Sequence, residues 1–220
     1  SRTGYNVEHV GYRDGVLGAR DRALGRLTAE AVAHEAHGVV GVRVFIRRTG
    51  DGGVLLEFSV VGTAIRRRGV EPLPRPFTSH LSGQEFVKLL GIGFVPMTMV
   101  FAIGVIECIP GCGTELAERA GWNVELTQVG EAASASRRLA DEQMRYAARG
   151  ADGVVGVEIR STSRRRGPSH RRVYESIAIG TAARRFDPAA AGHVRPALTM
   201  VRLADRSTVD VGGAAAPRRS

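Results

Sequence analysis

Gly38-Val-Val-Gly-Val42 recurs as Gly153-Val-Val-Gly-Val157, and the match extends in both directions. Downstream, Glu57 and Gly62-Thr-Ala64 correspond to Glu175 and Gly180-Thr-Ala182. Upstream, Gly4, Asn6, Val7 and Glu8 correspond to Gly121, Asn123, Val124 and Glu125. The offset is 117 at the first block, 115 at the central one and 118 at the last. Similarity over so long a period means two copies of one folding unit, not a solenoid of short modules.

Each copy carries the same succession of signals. In the first, residues 13–36 read as a helix, because Leu17, Leu24, Leu27, Ala31 and Val32 recur at spacings of three, four and seven. Gly38 stands where a left-handed cap would end it. Val39 to Ile46 reads as a strand. The Gly- and Asp-containing turn at 49–53 then returns the chain along a second strand, Val54 to Ile65. In the second copy the helix spans 131–149, with Gly150 or Gly153 after it, and the strands are Val154–Thr162 and Arg172–Arg184. Residues 1–66 form the first repeat, 67–76 a Pro- and Arg-rich linker, 77–186 the second repeat, and 187–220 an Ala-, Gly- and Pro-rich tail expected to be mostly disordered. Within that tail, Ala197 to Leu203 is a candidate for one further strand.

Between Lys88 and Glu107 lie 18 residues without a charge, the length of a membrane-spanning helix. Pro96 near the centre and Gly91, Gly93 and Gly104 argue against one, since proline inside a helix costs about 3 kcal/mol. The stretch divides better. Ser82-Gly-Gln-Glu85 is a capping box that opens a short helix to Leu90. Gly91–Pro96 is then a turn, and 97–107 a strand apolar enough to be covered on both faces. The first copy shows no such helix and strand, which predicts an equivalent upstream of Ser1 or a strand taken from a neighbour.

Composition narrows the class. Charged residues are 24% and apolar residues 43% of the 220, a globular balance. The net charge is +9, and Lys88 is the only lysine among 31 cationic side chains. Such arginine dominance follows either from a GC-rich genome or from a phosphate-binding surface. Two cysteines are too few for a disulfide framework, and with no signal peptide the expected compartment is the cytoplasm. No Gly-x-Ser-x-Gly, phosphate-loop or dinucleotide motif occurs, so the expectation is a non-enzyme.

The blocks Ala36-His-Gly-Val-Val-Gly-Val42 and Gly150-Ala-Asp-Gly-Val-Val-Gly-Val157, each followed by a hairpin closing on Gly-Thr-Ala, resemble the YbjQ family. So do Leu81-Ser-Gly-Gln-Glu-Phe86, Gly93-Phe-Val-Pro96 and Val100-Phe-Ala-Ile-Gly104, which look like tandem actinobacterial members. The resemblance covers residues 4–66 and 77–186. It implies an α+β fold with a helix packed on an antiparallel sheet in each repeat. It also implies a homo-oligomer, a pentameric ring or a multiple of one, and a heavy-metal-binding role. The reading of function is a non-catalytic scaffold or ligand-binding assembly. The alternatives are an Arg-rich anion- or nucleic-acid-binding assembly and an enzyme with a composite site between subunits.

For a metal, Cys108-Ile-Pro-Gly-Cys112 with His80 is the first donor set, since thiolates take soft or divalent ions. Against it, a site needs three or four ligands and the first copy has no cysteine. His34 and His37 suit helix-end capping better than ligation. Glu57 and Glu175 interrupt apolar strands at the same place in both copies, with Thr63 and Thr181 six residues later on the same face. These four are candidates for a ligand or subunit contact, or for structural ion pairs. Arg66, Arg67, Arg68, Arg164, Arg165 and Arg166 are the anion-binding candidates, or else a solvated face. Aromatic residues are only 5%, which leaves few stacking partners for nucleic acid.

Overall fold

The computed structural model describes residues 4–49, 55–113, 116, 127–166 and 171–186. Within them lie strands β1 (Tyr5–Glu8), β2 (Gly38–Thr49), β3 (Leu55–Ile65), β4 (Phe77–Thr78), β5 (Phe94–Ile109), β6 (Gly153–Arg165) and β7 (Arg172–Arg185). The helices are α1 (Val10–Ala33), α2 (Gly83–Gly91) and α3 (Thr127–Ala147). The fold is α+β. One sheet has four strands in the order β1-β5-β7-β6, all antiparallel. The other has three, β3-β2-β4, with β4 parallel to β2 over two residues.

The two hairpins share one register pattern. In β2–β3, Val40 pairs with Thr63 and the register then slips before Arg43. In β6–β7, Val155 pairs with Thr181 and slips before Glu158. Each slip is a β-bulge at a glycine in the left-handed region, Gly41 with φ +63° and Gly156 with φ +65°. The fourth letter of the repeated motif thus encodes a bulge.

The long apolar strand β5 is buried on both faces, as its composition predicts. Met99, Phe101, Ile103 and Val105 face the main core, together with Val173 of β7, Val39 and Val42 of β2, and Val16 and Ala31 of α1. Val100 and Ala102 face the other way, against Ala140 and Met144 of α3. At Gly104 the backbone of α3 comes so close that a Cβ would collide with the Ser136 carbonyl oxygen. Leu17, Leu24 and Leu27 line the core side of α1 as expected, but Val32 is exposed and Val16 takes the buried place.

Several boundaries differ from the sequence reading, each for a local reason. Helix α1 starts at Val10, where the His9 ring accepts a hydrogen bond from the Tyr12 amide (3.4 Å), and stops at Ala33. Glu35, not Gly38, takes the left-handed conformation after it, with φ +52°. Gly38 is instead the first residue of β2, kept bare by the Phe77 ring lying against it. Gly150 does follow α3 with φ +86°. The turn before β5 is shorter than 91–96: Gly93 takes φ +80° and the strand begins at Phe94. Pro96 sits inside β5 because the register with β7 shifts between Pro96 and Thr98, where a missing N–H is tolerated. The capping box is formed as predicted, the Ser82 hydroxyl accepting from the Glu85 amide and the Glu85 carboxylate accepting from the Ser82 amide. Among the described residues no helix is long and apolar enough to cross a membrane. The 49–53 turn beyond Thr49 and the tail from 187, including 197–203, lie outside the described residues.

Candidate functional site at the junction of the two hairpins

The segment Ser79-His80-Leu81 joins the two bulged hairpins. On one side it continues β4 along the edge of β2. The Ser79 amide donates to Val39 O (2.8 Å), Val42 donates to Ser79 O (2.9 Å), and Gly41 donates to Leu81 O (2.7 Å). The bulge at Gly41 is therefore satisfied by this segment. On the other side Ser79 and His80 grip β7 and β6. Thr181 Oγ1 lies 3.0 Å from Ser79 Oγ, 2.8 Å from His80 Nδ1 and 3.2 Å from the His80 amide, which donates to it. His80 Nε2 lies 2.6 Å from the carbonyl oxygen of Gly156.

For a neutral ring these contacts assign the protons. A carbonyl only accepts, so Nε2 carries the hydrogen and donates to Gly156. Nδ1 of the neutral ring then accepts from the Thr181 hydroxyl. That leaves the two Thr181 lone pairs for the His80 amide and the Ser79 hydroxyl, while Ser79 Oγ accepts from the Leu81 amide at 3.2 Å. Every side-chain polar atom of the tether has a partner, and Ser79 and Thr181 are completely buried. Gly156 must be glycine twice over, since a Cβ there would lie 2.7 Å from both His80 Nε2 and a Leu81 methyl. Next to the tether opens a cleft of about 510 Å³, bordered by Arg43 and Phe45 of β2, Glu85 of α2, and Glu158 and Arg160 of β6.

A second polar cluster closes the N-terminus of α1 onto the four-stranded sheet. The Tyr12 hydroxyl donates to Glu175 (2.9 Å), and Arg166 donates to Glu107 (3.3 Å), with Arg171 at 4.0 Å. The His9 amide donates to Val105 O (2.9 Å), while the Arg164 guanidinium lies 5.3 Å from the centre of the Tyr12 ring. Both carboxylates belong to residues 8% exposed, so their partners hold charge that would otherwise be costly to bury.

The paired candidates therefore part company. Glu175 is buried against Tyr12, whereas Glu57 is exposed opposite Arg47 near the end of the β2–β3 hairpin. Thr181 is the hub of the tether, and Thr63 is exposed opposite Val40. Cys108 is buried beside Ile106, Ala132 and Tyr174, and Cys112 is exposed; neither is in a disulfide. His80 is held in the tether. No group of three or more His, Cys, Asp or Glu side chains among the described residues is arranged to hold a metal ion. Arg66 pairs with Glu35, and the Arg67 amide donates to His37 Nδ1 (3.3 Å). Arg68 and Arg165 are exposed. The glycine at 156 gives the close approach its place in the motif suggests, while Ser79, Tyr12 and Glu107 were missed by sequence reasoning. Only Glu107 left a signal, as a lone charge on an apolar strand.

The outer strand β6 completes the picture. Among the described residues it pairs with β7 alone, and residues 156–165 are exposed throughout. Val157 and Ile159 are 47% and 53% exposed, and Arg160 forms an ion pair with Glu158 at 3.2 Å.

Over 175 residues the chain is 37% identical to the encapsulin nanocompartment protein Rv1762c of Mycobacterium tuberculosis, a match spanning 70% of this chain and 67% of that protein. The chain belongs to the family of that encapsulin nanocompartment protein. No protein-family model matches, and no solved structure matches. The relationship overturns the YbjQ resemblance and, with it, the heavy-metal-binding role drawn from that family. The physical reason for the misreading lies in the motif. Gly-Val-Val-Gly-Val specifies a strand start with a left-handed bulge, a backbone requirement that marks a local geometry rather than a lineage. The Arg-rich anion- or nucleic-acid-binding alternative is also unsupported, because Arg66 and Arg166 are spent on Glu35 and Glu107 inside the chain. The composite-site enzyme fares no better, since the relative's name denotes a compartment rather than a reaction.

Proposed function

We propose that this chain is a non-catalytic structural component of an encapsulin-type nanocompartment, cytoplasmic, and assembled by association with copies of itself. The observation that carries the reading is the 37% identity to an encapsulin nanocompartment protein across 70% of the chain. Two features of the fold support it. The buried polar groups of the tether and of the Glu107–Glu175 cluster are consumed by internal hydrogen bonds and ion pairs, which is how a building block uses them. The four-stranded sheet ends in an exposed edge, β6, which is what a subunit offers to a neighbour. Assembly through closed symmetry is the rule for such subunits. Native purification followed by mass photometry and negative-stain microscopy tests the proposal. A particle of defined mass, many times the 23.5 kDa of one chain, is expected. A monomer at every concentration overturns it.

A further inference from the structure

Resting on the reading that the chain assembles with itself, the geometry points to the contact. We propose that β6 of one copy pairs antiparallel with β6 of a second copy about a two-fold axis through Ser161, joining two four-stranded sheets into one of eight.

Backbone N–H and C=O groups on a sheet edge need partners, and natural edges are usually blunted by proline, by charged side chains, by a bulge along the strand, or by a covering segment. Among the described residues, β6 beyond Gly156 has only the charges, which a partner of complementary register can match. Residues 157–165 run without a register shift, contain no proline and are all exposed. Val157 and Ile159 remain about half exposed at that edge.

The register follows from symmetry and charge. Two identical strands related by a two-fold axis normal to the sheet place residues of the same parity opposite each other, so the axis passes through one residue. An axis at Arg160 stacks that arginine on itself. An axis at Thr162 sets Arg160 against Arg164 twice. An axis at Ile159 runs into the Gly156 bulge, which would face Thr162. The axis at Ser161 spans the whole unbulged stretch, 157 opposite 165, and places no like charges together. It sets Glu158 opposite Arg164 of the second copy, and Arg164 opposite its Glu158. Both side chains are on the sheet face that carries Ile179 and Val173, their respective partners on β7. Arg164 is already held over that face by the Tyr12 ring. Opposite charges directly across a strand pair are favourable and like charges unfavourable.

The test uses charge reversal in full-length chains and reads mass by sedimentation velocity and native mass spectrometry. Glu158→Arg places two arginines opposite each other at both ends of the contact, and Arg164→Glu places two glutamates there. Each variant alone is expected to weaken the β6 contact roughly tenfold, through two like-charge pairs. A one-to-one mixture of the two variants restores association, because every facing pair is then opposite in charge. The double variant Glu158→Arg/Arg164→Glu restores it as well. Circular dichroism of each variant checks that the exposed substitutions leave the fold intact. Wild-type assembly that either single variant leaves unchanged, or that the mixture fails to rescue, overturns the β6 contact while the assembly reading stands. A wild-type chain that never assembles overturns the assembly reading itself.

Discussion

Gly41 and Gly156 hold the same left-handed backbone, φ +63° and +65°, yet only Gly156 has a neighbour where a side chain would begin. Around Gly41 the space is open. The two alanine substitutions therefore separate backbone strain from steric collision. Gly41→Ala is expected to cost about 1–2 kcal/mol, the left-handed penalty for a residue with a Cβ. Gly156→Ala adds a clash with His80 and Leu81 and should cost more, roughly a further 1–3 kcal/mol. Urea unfolding midpoints of the two variants measure the difference. Equal costs would mean that the tether moves aside freely.

The tether makes a second prediction. Thr181→Val keeps the shape of the side chain and removes the hydroxyl that serves Ser79 and His80. The His80 amide and His80 Nδ1 lose their partner in a largely enclosed site, for an expected loss of about 1–3 kcal/mol. Thr63→Val, its counterpart in the first repeat, lies on an exposed strand and should change stability by less than about 0.5 kcal/mol. A chemical-denaturation comparison of the pair checks this.

Gly104→Ala should be among the most damaging of the glycine substitutions. The obstacle is the Ser136 carbonyl, a piece of helix backbone, so no side-chain rotation relieves it. A loss of at least about 3 kcal/mol is expected, at or beyond the upper end for overpacking. The accompanying signature is reduced amide protection along α3, measured by hydrogen exchange.

The capping box predicts a pH dependence. The Ser82 amide and hydroxyl, bound to the Glu85 carboxylate, hold its pKa below the ordinary 4.5. A carboxyl whose folded pKa is depressed contributes stability above its unfolded value and loses it as pH falls through the folded one. The stability gap between the native chain and Glu85→Gln should therefore be full at neutral pH and close in the window below 4.5. Ser82→Ala removes the other half of the box, at about 1 kcal/mol. Thermal melts across that pH range follow both effects.

Much of this architecture was legible in the chain, and the limits have physical causes. Helices α1 and α3 and the two hairpins show through because apolar periodicity is a local property. The capping box was readable for the same reason, since four adjacent residues satisfy one another. The pairing of Tyr5–Glu8 with Ile106–Ile109 was not, because a four-residue strand has too short a pattern to name a partner a hundred residues away. His80 stood out as a titratable group, but its bonds to Thr181 and Gly156 exist only once both hairpins have folded. The bulges were hidden for a different reason. A left-handed glycine and a glycine that merely avoids a ring, such as Gly38 under Phe77, look identical in sequence. Family membership was misread at that same motif, and long-range identity corrected it.

Tyr12→Phe tests the buried carboxylate. Removing the hydroxyl takes a donor from Glu175, a charge-assisted bond worth about 1.5–3 kcal/mol. Glu57→Gln, at the matching position of the other hairpin, faces solvent and should be near neutral. Thermal unfolding of the two variants gives the contrast directly.

That contrast has a wider meaning. Glu57 and Glu175 occupy matching positions in the two hairpins, yet one faces water and the other is enclosed against the start of a helix. The molecule thus contains its own control experiment: one residue type, one strand position, two surroundings. A tolerance measured in the first hairpin cannot be transferred to the second, and a mutational map of this chain has to be drawn twice.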